Sequence, residues 1–362
     1  MLKVLLVEDS PIALSILKRM ISTDPTMQVV GTARTGQEAL DLLPKLKPQV
    51  ICTDLFMPRM DGLELTQQVM ACQPTPILVI SAGVGAEDKN NVFTLLEAGA
   101  VDVFPKPSSG QIEDYEAQTD KLLQKIRVLA GVKVFTKRNR GIQLPGKKKE
   151  PLPLPPASSR LPSAHGRAIE LVAIGASTGG PQAFQEILSV IPANFPVPIL
   201  CVQHISPGFL DGFISWLADS CTLGVQIAKT GEKPQAGIAY FPPDRQHLRL
   251  DSQGRFICLE GPPVDSHCPS VTVLFQNVAQ RYGSASIGVL LTGMGRDGAS
   301  GLLELRQKGG YTIAQDEASS IVFGMPQEAI KLGAAKVVLP LAEIAGHIKG
   351  VVLKSQAIAS QV

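Results

Sequence analysis

Aromatic residues are scarce, at 5% of the chain with a single tryptophan, so the interior must be filled by aliphatic side chains. Charge is thin as well: 18% of residues are charged and the formal balance is only +2, too small to imply a polyanion partner for the chain as a whole. No run approaches the roughly 18 apolar residues of a membrane span. The apolar start Leu2–Val7 is cut off by Glu8 and Asp9, so it reads as a strand rather than a signal sequence, and a cytoplasmic protein is expected. The six cysteines (Cys52, Cys72, Cys201, Cys221, Cys258, Cys268) form no C-x-x-C pair and have no histidine at zinc-finger spacing, which leaves reduced core thiols as the expectation.

What is present is a globular chain, 44% hydrophobic and 362 residues long, for which about two domains is the natural division. Its most informative stretch is Leu171-Val172-Ala173-Ile174-Gly175-Ala176-Ser177-Thr178-Gly179-Gly180-Pro181, an apolar run that breaks into small residues around one serine. The run predicts a buried strand and the amphipathic Gln182–Val190 a helix, with Ser177 on the turn between them. An α/β sheet puts its chemistry at such turns. This turn suits three uses: a reachable nucleophile with main-chain N–H groups close by, a phosphate cradle, or a plain structural turn.

Ahead of it, apolar bursts at Val4–Val7, Met27–Val30, Val50–Cys52, Ile77–Ile80 and Val101–Phe104 alternate with helical patterns such as Ile12–Ile21 and Glu38–Leu43. Strand-helix repeats of this kind predict a parallel sheet covered on both faces, over residues 1–129. Glu8 and Asp9 follow the first strand, Asp54 the third, Ser81 the fourth and Lys106 the fifth. Three converging carboxylates repel unless a hard cation neutralises them, and oxygen-only ligands suit Mg²⁺.

Residues 130–167 lose periodicity and are Pro-rich and basic (Lys137, Arg138, Arg140, Lys147–Lys149), a composition that predicts a solvated tether. There is no interleaved aromatic platform for bases, and no recognition helix for a DNA-binding regulator, so no nucleic-acid partner is expected. The remainder, 168–362, is predicted to be a second, mainly parallel, doubly wound α/β domain. Ile199–Gln203 reads as a strand ending at His204, with a helix over Pro207–Leu217, and Ser286–Leu291 as a strand leading through Gly293 and Gly295 to Asp297, before a helix over Ala299–Gln307. Asp297 alone suits a helix N-cap and His204 alone a structural histidine. Together with Ser177 they supply a nucleophile, a base and an orienting carboxylate from three strand ends. The chain order Ser, His, Asp differs from that of α/β-hydrolases despite the G-x-S-x-G spacing at Gly175–Gly179. A nucleotide-binding reading lacks G-x-G-x-x-G and leaves His204 and Asp297 without a task.

Two resemblances follow. Val7-Glu8-Asp9-Ser10, Thr53-Asp54 through Asp61-Gly62, Ile80-Ser81-Ala82 and Phe104-Pro105-Lys106-Pro107 resemble the receiver domain of two-component response regulators. This implies a five-stranded flavodoxin-like fold, Asp54 as phosphoacceptor, Mg²⁺ held by Glu8, Asp9 and Asp54, Ser81 and Lys106 sensing the phosphoryl group, and Phe104 repacking on activation. Ala173–Gly180, Gln203–Phe209, Leu291–Gly298, Ala314–Ser319 and Phe323–Pro326 resemble the chemotaxis protein-glutamate methylesterase family, CheB.

That second resemblance implies Ser177 as nucleophile, His204 as general base and acid, Asp297 as orienting carboxylate, and N–H groups near Thr178 and Met294 as an oxyanion hole. No cofactor is implied for this chemistry. The implied activity is phosphorylation-controlled hydrolysis of glutamate γ-methyl esters, with methanol released, together with glutamine deamidation. The implied partners are chemoreceptors as substrate and a chemotaxis histidine kinase as phosphodonor. One departure is that Cys268 and Thr272 stand where the family commonly has Arg and Asp, which bears on groove contacts or local packing rather than on the triad.

Overall fold

A computed structural model describes residues 1–81, 91–107, 112–132, 134 and 167–360. Most of the expected tether lies outside the described residues. The first sheet is built from β1 (Leu2–Val7), α1 (Pro11–Ser22), β2 (Met27–Ala33), α2 (Gly36–Leu46), β3 (Val50–Asp54), α3 (Gly62–Cys72), β4 (Ile77–Ser81), α4 (Asn91–Ala98), β5 (Asp102–Pro105) and α5 (Ile112–Leu129). Its strands run parallel in the order β2-β1-β3-β4-β5. Every residue of β3 and β4 is buried, because helices cover both faces and leave no polar side to alternate. The order reverses between β1 and β3, and the crevice that opens there carries Glu8, Asp9 and Asp54.

The second sheet comprises β6 (Leu171–Ala176), α6 (Gly180–Leu188), β7 (Ile199–Gln203), α7 (Leu210–Ser220), β8 (Gly224–Ile227), β9 (Ile238–Phe241), β10 (Gln246–Leu250), β11 (Phe256–Glu260), α8 (Val271–Arg281), β12 (Ser286–Leu290), α9 (Ala299–Gln307), β13 (Tyr311–Gln315), α10 (Met325–Lys331), β14 (Val337–Leu339) and α11 (Leu341–Ala359). Seven of these strands pair in parallel in the order β14-β13-β12-β6-β7-β9-β8. The antiparallel pair β10–β11 stands apart as a ribbon, packing Leu248, Leu250 and Phe256 against Leu274, Phe275 and Val278 of α8.

Two helix starts differ from expectation for local reasons. α6 begins at Gly180 because Pro181 fits the first turn, where its missing N–H costs nothing. α7 begins only at Leu210, after Gly208 has turned the chain in a left-handed conformation at φ 88°. The chain leaves β6 for β7 on one side and returns to β12 on the other, so the carboxyl ends of these three neighbours form the switch point of the second sheet. Among the described residues no helix is long and apolar enough to cross a membrane.

Candidate active site

Ser177 follows β6 directly, its N–H donating to the Thr292 carbonyl (3.0 Å) and its own carbonyl accepting from the N–H of Gly180 (2.8 Å). That second bond occupies one of the amides that a phosphate cradle would use. Ser177 is 9% exposed. Beside it, a Cβ on Gly293 would lie 2.7 Å from Ser177 Cβ and 3.1 Å from its N, so only glycine lets the β12 loop approach the serine this closely. Gly175 serves packing rather than ligand approach: a Cβ there would stand 2.1 Å from a methyl of Val271, which brings the first turn of α8 against β6.

His204 follows β7 and is held by its backbone N–H, which donates to the Ala176 carbonyl (3.0 Å). Its Nε2 lies 2.7 Å from Oδ2 of Asp297. An ionised carboxylate only accepts, so Nε2 carries the hydrogen, and the neutral ring is left with a bare Nδ1. Nδ1 is buried and has no hydrogen-bond partner, so the serine–histidine bond is open in this arrangement. The Gln203 amide ties the two strand ends together, with Nε2 donating to the carbonyls of Ser177 (2.8 Å) and His204 (2.9 Å).

Asp297 is fully buried. It does cap a helix, but α8 rather than the α9 that follows it. The N–H groups of Val271 (2.7 Å, to Oδ2) and Thr272 (2.9 Å, to Oδ1) and the Ser270 hydroxyl (2.7 Å, to Oδ1) all donate to it. Burial alone would raise its pKa. His204 and then the Thr272 N–H and Ser270 hydroxyl outweigh burial and hold the carboxyl well below the usual range. Among the described residues, no acceptor is paired with the backbone N–H of Thr178 or of Met294, the two groups expected to form an oxyanion hole.

The 265–272 segment that brings Ser270 to Asp297 carries both departures from the family pattern. Thr272 Oγ1 donates to Asp265 Oδ2 (3.0 Å) and accepts from the N–H of Gly298 (2.7 Å), so local packing is satisfied without a second carboxylate. The Cys268 thiol donates to the Arg245 carbonyl (3.0 Å), and burial pushes its pKa up, which makes it a poor nucleophile. His247 braces the same loop, its Nε2–H donating to Pro262 O (3.1 Å) and its Nδ1 accepting from the N–H of Ser270 (3.2 Å). His267 lies flat on His204, ring centroids 3.7 Å apart and planes within 4°. Nothing in the sequence singles out this residue, because a stack formed across a loop leaves no periodic trace.

In the first domain, Lys106 Nζ reaches both Asp54 Oδ2 (2.6 Å) and Glu8 Oε1 (3.0 Å), and its backbone N–H donates to the Ser81 carbonyl (2.7 Å). Burial raises the pKa of Asp54 and of Glu8. Burial also disfavours the lysine charge, yet the bonds from Asp54 and Glu8 prevail and its pKa is raised. Glu8, Asp9 and Asp54 can bring carboxylate oxygens within 4.8 Å of one another, and the buried Oε2 of Glu8 has no partner, so this donor set fits a hard divalent cation. Phe104 is 2% exposed and packs into the core of this domain.

The two domains meet over the serine turn. Thr178 Oγ1 donates to Asp102 Oδ2 (2.9 Å), and Lys125 holds the same carboxylate from α5. The Gln182 amide donates to Ala100 O (3.0 Å), and the Trp216 indole donates to Glu97 Oε1 (2.9 Å). Phe93 stacks on Trp216 with centroids 5.6 Å apart. Between His204, Pro181 and Gln203 on one side and Asp102, Val103 and Lys125 on the other, only a cavity of about 20 Å³ is left. Ile321, under the serine turn, packs against the core of the first domain. None of these contacts is foreshadowed in the sequence, since each joins residues far apart along the chain.

Comparison with known proteins agrees with both halves. Residues 172–348 match the family described as CheB methylesterase, and residues 4–114 match the response regulator receiver domain. A protein of Nitrosospira multiformis named protein-glutamate methylesterase/protein-glutamine glutaminase is 41% identical over 354 residues, covering 97% of this chain and 97% of that one. A Syntrophus aciditrophicus protein of the same name, numbered 1, is 41% identical over 346 residues, covering 95% and 97%. The crystal structure of the Thermotoga maritima CheB methylesterase catalytic domain aligns with 50% of this chain and 97% of that chain, at 36% identity and a TM-score of 0.49.

Proposed function

The chain belongs to the CheB methylesterase family, with a response-regulator receiver domain ahead of its esterase domain, and we propose from that premise that it is a phosphorylation-activated protein-glutamate methylesterase and protein-glutamine glutaminase. The observation that carries the chemistry is the 2.7 Å contact between His204 Nε2 and Asp297 at the strand ends beside Ser177. Ser177 Oγ attacks the γ-carbonyl carbon of a receptor glutamate methyl ester while His204 Nδ1 takes its proton. The tetrahedral oxyanion is met by the N–H groups of Thr178 and Met294. Collapse breaks the C–O bond of the ester, His204 returns the proton to the leaving methoxide, and methanol departs. Water, activated by the same nitrogen, then hydrolyses the acyl-serine. A glutamine amide takes the same path with ammonia as the leaving group.

The receiver domain, assigned to 1–129 with a tether at 130–167 and the esterase at 168–362, supplies the control. Chemoreceptors are the substrates and a histidine kinase is the phosphodonor. Asp54 takes the phosphoryl group, Ser81 and Lys106 hold its oxygens, and Phe104 adjusts beside them. Glu8, Asp9 and Asp54 are the residues that would hold Mg²⁺, which would supply charge neutralisation at a phosphoryl oxygen. In the unphosphorylated arrangement Asp102 grips the Thr178 side chain and the receiver face lies over His204. Phosphorylation shifts the population away from that cover.

The test is methanol release from methylated receptor fragments by the full chain, with and without a small phosphodonor and Mg²⁺. Release should rise with phosphodonor in the wild type. In Asp54→Asn the ratio of stimulated to basal release should fall to one, and a variant that still responds would overturn Asp54 as the acceptor. In the same assay Gly293→Ala should lose roughly 100-fold in kcat, because its methyl pushes on Ser177 Cβ, and misplacing a reacting group by about 1 Å costs that much. The same methyl would meet the sulfur of the fully buried Met325 at 2.3 Å, so the thermal midpoint should fall as well. Full kcat in the Gly293→Ala enzyme would mean that the serine tolerates displacement.

A further inference from the structure

We infer that His267 is a positioning residue for His204: its ring fixes the plane of the base and provides the face on which the imidazolium rests once the serine proton has moved. The inference rests on the reading of Ser177, His204 and Asp297 as nucleophile, base and orienting carboxylate. The Asp297 bond alone does not fix the base, because rotation about Cβ–Cγ swings Nδ1 out of line while the bond at Nε2 merely bends. A second ring 3.7 Å away and parallel within 4° removes that rotation.

The stack helps only while His267 is neutral, since a second imidazolium at this distance would repel the first. Its Nδ1 donates to the Asp265 carbonyl (2.7 Å), which leaves Nε2 unprotonated in the neutral ring. Burial, and then the neighbouring His204, push its pKa down to about 4. The carboxylates of Asp297 and Asp265 act in the opposite direction. Both are engaged elsewhere: Asp297 by α8 and His204, and Asp265 by Arg296 Nε (3.2 Å) and the Thr272 hydroxyl. Cation on neutral ring is therefore the arrangement this pocket sustains during the reaction.

The donor atoms of His204, His267 and Asp297 can come within 4.8 Å of one another, but they do not make a metal site. Lone pairs in two parallel ring planes run side by side and do not converge on one ion at the roughly 2.0–2.1 Å that zinc requires.

The experiment compares wild type, Ser177→Ala, His267→Phe and His267→Leu in the full chain, reading kcat and KM for methanol release across the pH range together with thermal midpoints. Phe keeps a flat π face and should retain kcat within about threefold, whereas Leu keeps apolar volume without the face and should lose about tenfold in kcat with KM within about twofold. The acid limb of the Leu variant's kcat profile should move to lower pH, because an aliphatic neighbour disfavours the imidazolium. Leu matching wild type in kcat and profile, or Phe as poor as Leu, would overturn the inference; a lowered midpoint with an unchanged profile would reduce His267 to a packing residue and overturn it equally. Methanol release persisting in Ser177→Ala would instead bring down the underlying reading, and the inference with it.

Discussion

Replacing Ser177 with alanine is expected to lower kcat for ester hydrolysis by roughly 10⁴- to 10⁶-fold, to the level that binding and an oxyanion site sustain without a nucleophile. Alanine fits the space, so the fold should be unaffected: Ser177 is linked to its surroundings through backbone N–H and C=O groups that the substitution keeps. Single-turnover mixing with a chromogenic ester would separate the steps. Wild type should give a burst of leaving group as the acyl-serine accumulates, and the variant none. A variant that keeps the burst would exclude Ser177 as the nucleophile.

Asp297→Asn should be nearly as damaging, by roughly 10⁴-fold in kcat, and should destabilise the domain as well. Each carboxylate oxygen of Asp297 accepts from two donors, Oδ2 from His204 Nε2 and the Val271 N–H, and Oδ1 from the Ser270 hydroxyl and the Thr272 N–H. An amide keeps one oxygen and turns an NH₂ group toward the other two donors. Whichever way it rotates, at least one backbone N–H of α8 or the His204 tautomer is lost, at a cost of about 3 kcal/mol for the unsatisfied groups. The pH dependence has a definite sign. The folded-state pKa of Asp297 lies below the ordinary value, so its stabilising contribution is complete above the unfolded pKa of about 3.9 and declines as pH falls toward the folded one. The gap in urea midpoint between wild type and the Asp297→Asn variant should therefore be full at about pH 7 and start to close only below about pH 4. A gap that already closed near about pH 6 would point to histidine as its source.

Much of this was legible in the sequence because the informative residues sit where strands stop. A buried parallel strand is a contiguous aliphatic run, so its end is visible, and Glu8, Asp54, Ser81, Lys106, Ser177 and His204 all lie at or just past such ends. The phosphate-cradle alternative could not be dismissed from the same letters, since small residues serve both uses. The amide of Gly180 being occupied by Ser177 O is a tertiary fact. Asp297 was open to a helix-cap reading for a sound reason, and it does cap a helix, but the partner is α8, which precedes it in the chain. His267 and Asp102 stayed hidden because neither lies in an amphipathic pattern: one stacks from a loop, and the other faces a different domain. Local pattern finds what each element contributes, and it is silent about which element from elsewhere completes the contact.

The hydrogen bonds and ring contacts that join Asp102, Glu97 and Phe93 to Thr178, Trp216 and Phe213 set a few polar bonds around a buried aromatic centre. Within one chain the comparison is with an effective concentration: at one on the order of 1 mM, a face with an intrinsic Kd of about 10 μM would be closed about 99% of the time. Bringing such a face to half open then requires only about 2.7 kcal/mol. Tethering lets a weak cover be both nearly complete and easily lifted, whereas a strong one would have silenced the enzyme beyond the reach of its signal.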